Sequence, residues 1–207
     1  MHDIVVPQHG NAELAALIGS RICHDLISPI GAIGNGIELM SMGPGSADSP
    51  ELALVSESCR AAQARIRFFR VAFGSQVTSE QMVAASEARS ILAEYSRDAR
   101  QNPDWRVTSD VPRRELQIAL LAYLCLETAL PRGGAIVITH GGGHWQLQVE
   151  ADHLSVDPKL WSALTGTPMA TPPAAAHVQF VLLPMIAAEL GRAISVAHGE
   201  TRLTLTI

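Results

Sequence analysis

The chain has 207 residues, of which 47% are hydrophobic, 17% charged and 4% aromatic, a composition typical of a globular protein with one or two domains. Its formal net charge of -5 excludes the basic surfaces with which proteins bind nucleic acids or anionic membranes. Three cysteines, no long uninterrupted apolar run and no targeting leader indicate a reduced, cytoplasmic protein with no membrane span.

The first predicted element is a long amphipathic helix that begins just after Glu13. Placed at about 100° per residue, its apolar residues form one stripe, and His24 lies almost opposite that stripe. The stripe consists of Leu14, Ile18, Ile22, Leu26, Ile30, Ile33, Ile37 and Met40. The outer face around His24 carries mostly small or polar residues, namely Ser20, Ser28, Gly31, Asn35 and Glu38, together with Leu17 and Ile27.

A second helix follows a short turn, since Gly43 and Pro44 end the first helix and Ser49 and Pro50 begin the next. Its apolar residues alternate at spacings of three and four, which is the seam of a coiled coil. They are Leu52, Val55, Cys59, Ala62, Ile66, Phe69 and Phe73. Two helices cannot enclose both stripes, so the pattern predicts a homodimer whose paired hairpins form a four-helix bundle. Alternatively, the hairpin lies on its own C-terminal domain.

The sequence after Gly74 predicts an α/β domain. Helical patterns occupy 79–101, 114–130, 157–166 and 177–191, and strands are predicted at 104–112, on both sides of the glycine turn 141–143, and in a final hairpin that turns near Gly199. The predicted fold class is therefore α+β. A dimerising helical hairpin in 1–75 precedes a mixed sheet in 76–207, covered on one face by helices.

The string HDLISPIGAI, residues 24–33, resembles the H box of sensor histidine kinases, where a phosphorylatable histidine precedes an acidic residue, a leucine and a proline. Each residue type has a chemical reason. A neutral imidazole offers a lone pair that attacks phosphorus, so His24 is the predicted nucleophile. Asp25 is expected to hold the other ring N–H, and Pro29 to kink the helix by removing a backbone donor. An isolated His–Asp pair on a helix is more often only solvated, but the proline, the outward orientation and the seam favour the phosphoacceptor.

The C-terminal domain resembles the ATP-binding domain of histidine kinases, with its nucleotide motifs lost. In LLAYLCLETALPRGG, which is similar to the N box, Leu121 and Cys125 stand where that family has magnesium-binding asparagines. The segments EADHLSVDP and TPMATPPAAA replace its glycine-rich boxes. We therefore expect no bound cofactor.

A phosphotransfer hairpin joined to a degenerate kinase-like domain resembles the ChpT-like histidine phosphotransferases over nearly the whole chain. The resemblance implies a cytoplasmic dimer in a phosphorelay. His24 would accept phosphoryl from the receiver aspartate of a hybrid histidine kinase and pass it to response regulators, with Mg²⁺ supplied by the receiver. The docking residues expected around His24 are Leu17, Ser20, Ile27, Ser28, Gly31 and Asn35.

Several alternatives stay open. The glycines at 31, 34 and 36 either admit a receiver or relieve crowding between helices, and the arginines at 65, 67 and 70 either attract receivers or are merely solvated. Two other functions fit the sequence: an ATP-dependent kinase with a diverged nucleotide site, and a scaffold that binds receivers without accepting phosphate. His140, His144 and His153 lack cysteine or carboxylate partners at ligand spacing, so no metal site is expected.

Overall fold

The computed structural model describes residues 10–42, 49–74 and 81–207. The helices are α1 (Asn11–Met42), α2 (Pro50–Ala72), α3 (Ala85–Tyr95), α4 (Arg113–Ala129), α5 (Pro158–Leu164), a 3₁₀ helix (Ala175–His177) and α6 (Gln179–Glu189). The strands are β1 (Met82–Val83), β2 (Gln101–Trp105), β3 (Val111–Pro112), β4 (Gly134–Gly141), β5 (His144–Glu150), β6 (Ser195–His198) and β7 (Arg202–Thr206). The predicted class is confirmed, with a helical N-terminal part followed by an α/β sheet domain.

Helices α1 and α2 pack along each other as the predicted hairpin. The Ser49 hydroxyl accepts a hydrogen bond from the backbone N–H of Leu52 at 3.2 Å, and Pro50 occupies the first helical turn, so the predicted start of α2 is confirmed. The predicted stop at Gly43 and Pro44 lies outside the described residues.

Close helix packing explains one of the three glycines in α1. A Cβ atom at Gly36 would lie only 2.5 Å from Val55 Cγ2 on α2, whereas nothing lies within 4 Å of such an atom at Gly31 or Gly34. Crowding between the helices therefore accounts for Gly36 and not for the other two. Helix α1 continues through Pro29, whose side chain is buried against its surroundings.

The main sheet has the strand order β2-β4-β5-β7-β6, in which β2 and β4 are parallel and the other neighbours antiparallel. Along β5, Trp145, Leu147 and Val149 are buried while the alternate residues are exposed. One face of the strand is therefore in the core and the other is exposed, as the alternation predicts. The two predicted hairpins, 134–150 and 195–206, are confirmed.

The structure corrects two boundaries near the start of this domain. The single strand predicted at 104–112 is divided, because β2 ends at Trp105 while Val111 and Pro112 pair with Val83 and Met82 in a separate two-stranded sheet. The same pairing removes Met82 and Val83 from the helix predicted over 79–101, so that α3 begins only at Ala85. In both segments, strand pairing between residues almost thirty positions apart overrides the local preference for helix or for one continuous strand.

The C-terminal domain rests on one side of the hairpin. The Phe68 ring of α2 stacks on Tyr95 of α3 with ring centroids 3.9 Å apart, and it also contacts Tyr123 of α4 edge-on. Phe68 and Tyr123 are completely buried, so α2 is part of the core of both halves of the chain. The predicted domain boundary between residues 75 and 76 falls outside the described residues.

Within the described ranges, no helix has both the length and the apolar character needed to cross a bilayer.

Candidate functional site

His24 lies midway along α1, with its side chain 80% exposed. Its Nδ1 atom is 3.0 Å from Oδ1 of Asp25. Because an ionised carboxylate can only accept, in the neutral ring this contact assigns the proton to Nδ1 and leaves the lone pair of Nε2 free. The arrangement suits the tautomer that an attacking imidazole requires, with Nε2 as the nucleophile.

Asp25 is held on its other side by Arg21, one helical turn earlier. Arg21 Nε lies 2.8 Å from Asp25 Oδ2, and both side chains are only 15% exposed. Arg21 Nη1 also donates to the backbone carbonyl of Ala176 at 2.8 Å. The carboxylate beside His24 therefore belongs to a network that reaches the C-terminal domain.

A cavity of about 340 Å³ opens beside His24, between the hairpin and the C-terminal domain. Its lining combines four carboxylates with one arginine. The lining residues are His24, Asp25 and Ser28 from α1, Ala61 and Arg65 from α2, Glu94 and Tyr95 from α3, Asp98 and Ala99 after it, and Glu127 from α4. The phosphoacceptor candidate thus lies at the rim of an acidic interdomain cleft.

Glu127 is the most perturbed acid in this cleft. Burial raises the pKa of its carboxyl to about 7, while the positive charge of Arg21 and the hydroxyl groups of Tyr95 and Tyr123 partly oppose that rise. Tyr95 donates a long hydrogen bond, 3.4 Å, to Glu127 Oε2. Near neutral pH, Glu127 is therefore divided between its neutral and charged forms.

Replacing Glu127 with glutamine is expected to stabilise the protein at pH 8. Since the folded pKa, about 7, exceeds the unfolded value of 4.5, the stability that this group contributes is complete below pH 4.5 and is lost as the pH rises to about 7. We expect Glu127→Gln to raise the free energy of unfolding by up to about 3 kcal/mol at pH 8, and far less at pH 5. Urea denaturation at both pH values measures the difference.

Glu94 of the same cleft is the control, because its pKa is lowered by the Ser90 hydroxyl and by Arg67. Glu94→Gln should make the protein slightly less stable at pH 8, with the difference disappearing toward acid. A Glu127→Gln protein that is no more stable than wild type at pH 8 would show that the carboxyl is solvated.

The predicted docking residues mostly surround His24 on the exposed side of α1. Five of them are exposed, namely Ser20, Ile27, Ser28, Gly31 and Asn35. Leu17 differs from them, since it is half-buried and packs against the main hydrophobic core. The N-terminal half of α1 rests on the C-terminal domain, which removes Leu17 from the free surface.

Arg21 and Glu127 are the site residues that sequence reasoning missed. Arg21 had a usable signal, since its i,i+4 spacing to Asp25 places the two charges on one helix face. Glu127 had none, because only the packing of α4 beneath the hairpin brings it toward α1.

A separate apolar face of α1 lies apart from His24 and is not covered by the C-terminal domain. Ile30 is 56% exposed and Ile37 is 55% exposed, and Ile27 lies where this face meets the His24 side. Of the large hydrophobic residues exposed in the described ranges, all but Met82 lie on α1 or α2: Ile27, Ile30, Ile37, Leu39, Met42, Leu54 and Ile66. The hairpin therefore keeps an uncovered apolar face after it has packed on its own C-terminal domain.

Two residues that stand where histidine kinases have magnesium-binding asparagines lie in the hydrophobic core. Leu121 and Cys125 are both completely buried, and burial raises the pKa of the Cys125 thiol. His140 packs on the Trp145 ring, 4.4 Å between centroids, as a structural histidine would. No group of histidine, cysteine or acidic side chains arranged to hold a metal ion occurs in the described part of the chain.

Comparison with known proteins agrees with this geometry. Residues 85–202 match the family described as the histidine phosphotransferase C-terminal domain. The chain is 33% identical over 189 residues to protein phosphotransferase ChpT of Brucella abortus, covering 89% of this chain and 90% of that protein. It also superimposes on the structure of a bacterial phosphotransferase with a TM-score of 0.77 and 31% identity, over 97% of this chain and 98% of the other. The chain therefore belongs to the ChpT-like histidine phosphotransferases, the phosphorelay enzymes that its H box led us to expect.

Proposed function

We propose that His24 is the residue on which this phosphotransferase carries the phosphoryl group. One observation carries the proposal: the His24 ring is exposed, and its Nδ1 atom contacts Asp25 at 3.0 Å, which leaves Nε2 to react. Not every described histidine has surroundings of this kind. His140, for example, is packed on Trp145, and burial lowers its pKa.

The reaction is an in-line transfer between an acyl phosphate and an imidazole. The Nε2 lone pair attacks phosphorus of a receiver's aspartyl phosphate, the P–O bond to the aspartate breaks, and the carboxylate leaves with the electron pair. The reverse step on a second receiver regenerates the free ring. The receivers we propose are that of a hybrid histidine kinase as donor and those of response regulators as acceptors, and we accordingly propose a cytoplasmic location.

This chain needs to supply only the ring and a surface that positions the receiver. We propose that it uses no nucleotide and no metal of its own, and that the Mg²⁺ which neutralises charge on the phosphoryl group comes with the receiver. The buried side chains of Leu121 and Cys125 support this, since neither reaches a surface where phosphate would bind.

The test is to incubate the pure protein with radiolabelled, phosphorylated receiver domains, and separately with labelled ATP and Mg²⁺. We expect label from at least one receiver, acid-labile and mapped by mass spectrometry to the peptide containing His24. Stable labelling from ATP alone would support a kinase with a diverged site instead. Receiver binding without any labelling would support a scaffold.

Receivers are proposed to dock on the exposed side of α1 around Ser20, Ser28, Gly31 and Asn35. Gly31 lies one helical turn beyond Ile27 on this side, and no atom lies within 4 Å of the Cβ that another residue would carry there. A larger side chain at Gly31 therefore disturbs no contact within the protein and meets only what docks against it.

Gly31→Glu is expected to slow transfer at least about tenfold, because its bulk and charge oppose close approach of an acidic receiver. The melting temperature should not fall, since alanine or glutamate suits a helix better than glycine. Gly31→Ala is the matched control for the change in helix propensity. Equal transfer rates for glutamate and alanine at this position would place the docking surface elsewhere.

We also propose that the uncovered apolar face holds a second copy of this chain. The face runs along both helices of the hairpin, so that two hairpins related by a twofold axis would enclose it in a four-helix bundle. Its position apart from His24 leaves the ring of each copy accessible.

A further inference from the structure

A continuous series of polar contacts leads from the C-terminal domain to the His24 ring. The Ala176 carbonyl accepts from Arg21 Nη1 at 2.8 Å, Arg21 Nε lies 2.8 Å from Asp25 Oδ2, and Asp25 Oδ1 lies 3.0 Å from His24 Nδ1. Each member contacts the next, and both oxygens of the carboxylate are engaged: Oδ1 by the ring, and Oδ2 by an ion pair with Arg21 Nε that lacks the angle of a hydrogen bond. Arg21 is thus the link between the ring and the second half of the protein.

We propose that Arg21 is a positioning residue for phosphoryl transfer: it fixes the Asp25 carboxylate so that His24 keeps its proton on Nδ1, and it ties this arrangement to the 3₁₀ helix Ala175–His177. Arg21 touches neither the phosphoryl group nor the receiver in this proposal. It acts on the reaction only through Asp25.

Geometry explains why an arginine is needed. A carboxylate with one oxygen on an exposed ring and no other partner is free to rotate, and the ring then exchanges between its two tautomers. The Arg21 contact to the second oxygen restricts that rotation in a site where both charged groups are 15% exposed. The planar guanidinium reaches Asp25 and the Ala176 carbonyl together, which one ammonium group cannot do with the same geometry.

The surroundings of Arg21 come from three elements. Asp25 faces it from its own helix, Glu127 from α4, and His177 from the 3₁₀ helix, where burial, and after it the charge of Arg21, lowers the pKa of the histidine.

The proposal rests on the proposed role of His24, so its test includes a measurement that needs no phosphate. Nitrogen-15 NMR of the His24 ring in the unphosphorylated protein reports the tautomer, and single-turnover transfer from a phosphorylated receiver reports the rate. The variants are Arg21→Ala, Arg21→Lys, Asp25→Asn and the double variant Arg21→Ala/Asp25→Asn. Arg202→Ala, which removes an exposed ion pair with Glu150 on the distant sheet, is the control.

Arg21→Ala is expected to slow the transfer step about tenfold with the receiver concentration at half-saturation unchanged, because an orienting charged contact is lost while docking is not. The ring signals should move from the Nδ1–H form toward a mixture, and amide signals of Ala175–His177 should shift. The double variant should be no slower than Asp25→Asn alone, and Arg21→Lys should fall between wild type and alanine. Arg202→Ala should match wild type throughout.

The proposal is overturned if Arg21→Ala transfers at the wild-type rate, or if it is slower with unchanged ring signals. Rate losses that multiply in the double variant would also overturn it, since two groups acting on one ring through each other are not additive. If the alanine variant does not fold, the lysine variant decides by the same ring and rate measurements. Labelling that maps to another residue would refute the role of His24. The ring signals would then still show whether Arg21 fixes the Asp25 carboxylate.

Discussion

A His24→Ala protein is expected to accept no phosphoryl group from any receiver that labels the wild type. The substitution removes the nucleophilic nitrogen itself, and no other group at this position can form the phosphoramidate. The loss should therefore be complete within detection, corresponding to a decrease of at least about a thousandfold. The side chain is 80% exposed and contacts only Asp25 among hydrogen-bonding partners, so folding should be unaffected.

The measurement is transfer of radiolabel from a phosphorylated receiver, followed by circular dichroism to show that each variant is folded. His198→Ala is the matched control, because this histidine is also exposed but lies on β6, at the edge of the sheet. A His24→Ala protein that still relayed phosphoryl groups between receivers would exclude this ring as the carrier, whatever the rate.

The sequence was sufficient for the part of the site that lies within one helix. The roles of His24, Asp25 and Pro29 were predicted from one continuous stretch of sequence. The helical period alone predicts that the ring points outward. The predicted contact of Asp25 with the ring is present at 3.0 Å. Local spacing carries this information because all of these residues belong to α1.

What the sequence could not provide are contacts between distant segments. Arg21 reaches Ala176 across 155 positions, and Glu127 approaches α1 only because Phe68 packs α2 onto Tyr95 and Tyr123. Leu17 was assigned to the docking surface from its position around the helix axis, but the C-terminal domain packs on that side of α1 near Leu17. The periodicity of apolar residues predicts which residues share a face of a helix, but it does not predict which element packs on that face.

The packing also clarifies how the chain combines two tasks on one helix. At 100° per residue, His24 and the isoleucines at 30 and 37 lie on faces of α1 that are more than 90° apart, and the buried face with Pro29 and Gly36 is a third. One face presents the ring, one is uncovered and apolar, and one packs on α2. A second copy on the apolar face would therefore brace α1 without covering the phosphoacceptor.

Replacing both Ile30 and Ile37 with aspartate is expected to convert the proposed dimer to a monomer of 22.1 kDa. Burial of an isoleucine side chain contributes about 1.5 to 3 kcal/mol, and a twofold dimer contains both residues from each copy. The dissociation constant should therefore rise by more than about a thousandfold. Sedimentation equilibrium or light scattering measures the mass directly.

Met82→Asp is the matched control, because Met82 is equally exposed, at 55%, but lies on β1 outside the hairpin. It should leave the mass of the dimer unchanged. The double variant should stay folded, since its new carboxylates lie on an exposed face outside the hydrophobic core, and Phe68 continues to hold the hairpin on the C-terminal domain. If the wild type is monomeric at micromolar concentration, or if the double variant remains dimeric, the apolar face has another occupant and the bundle is not formed by two copies of this chain.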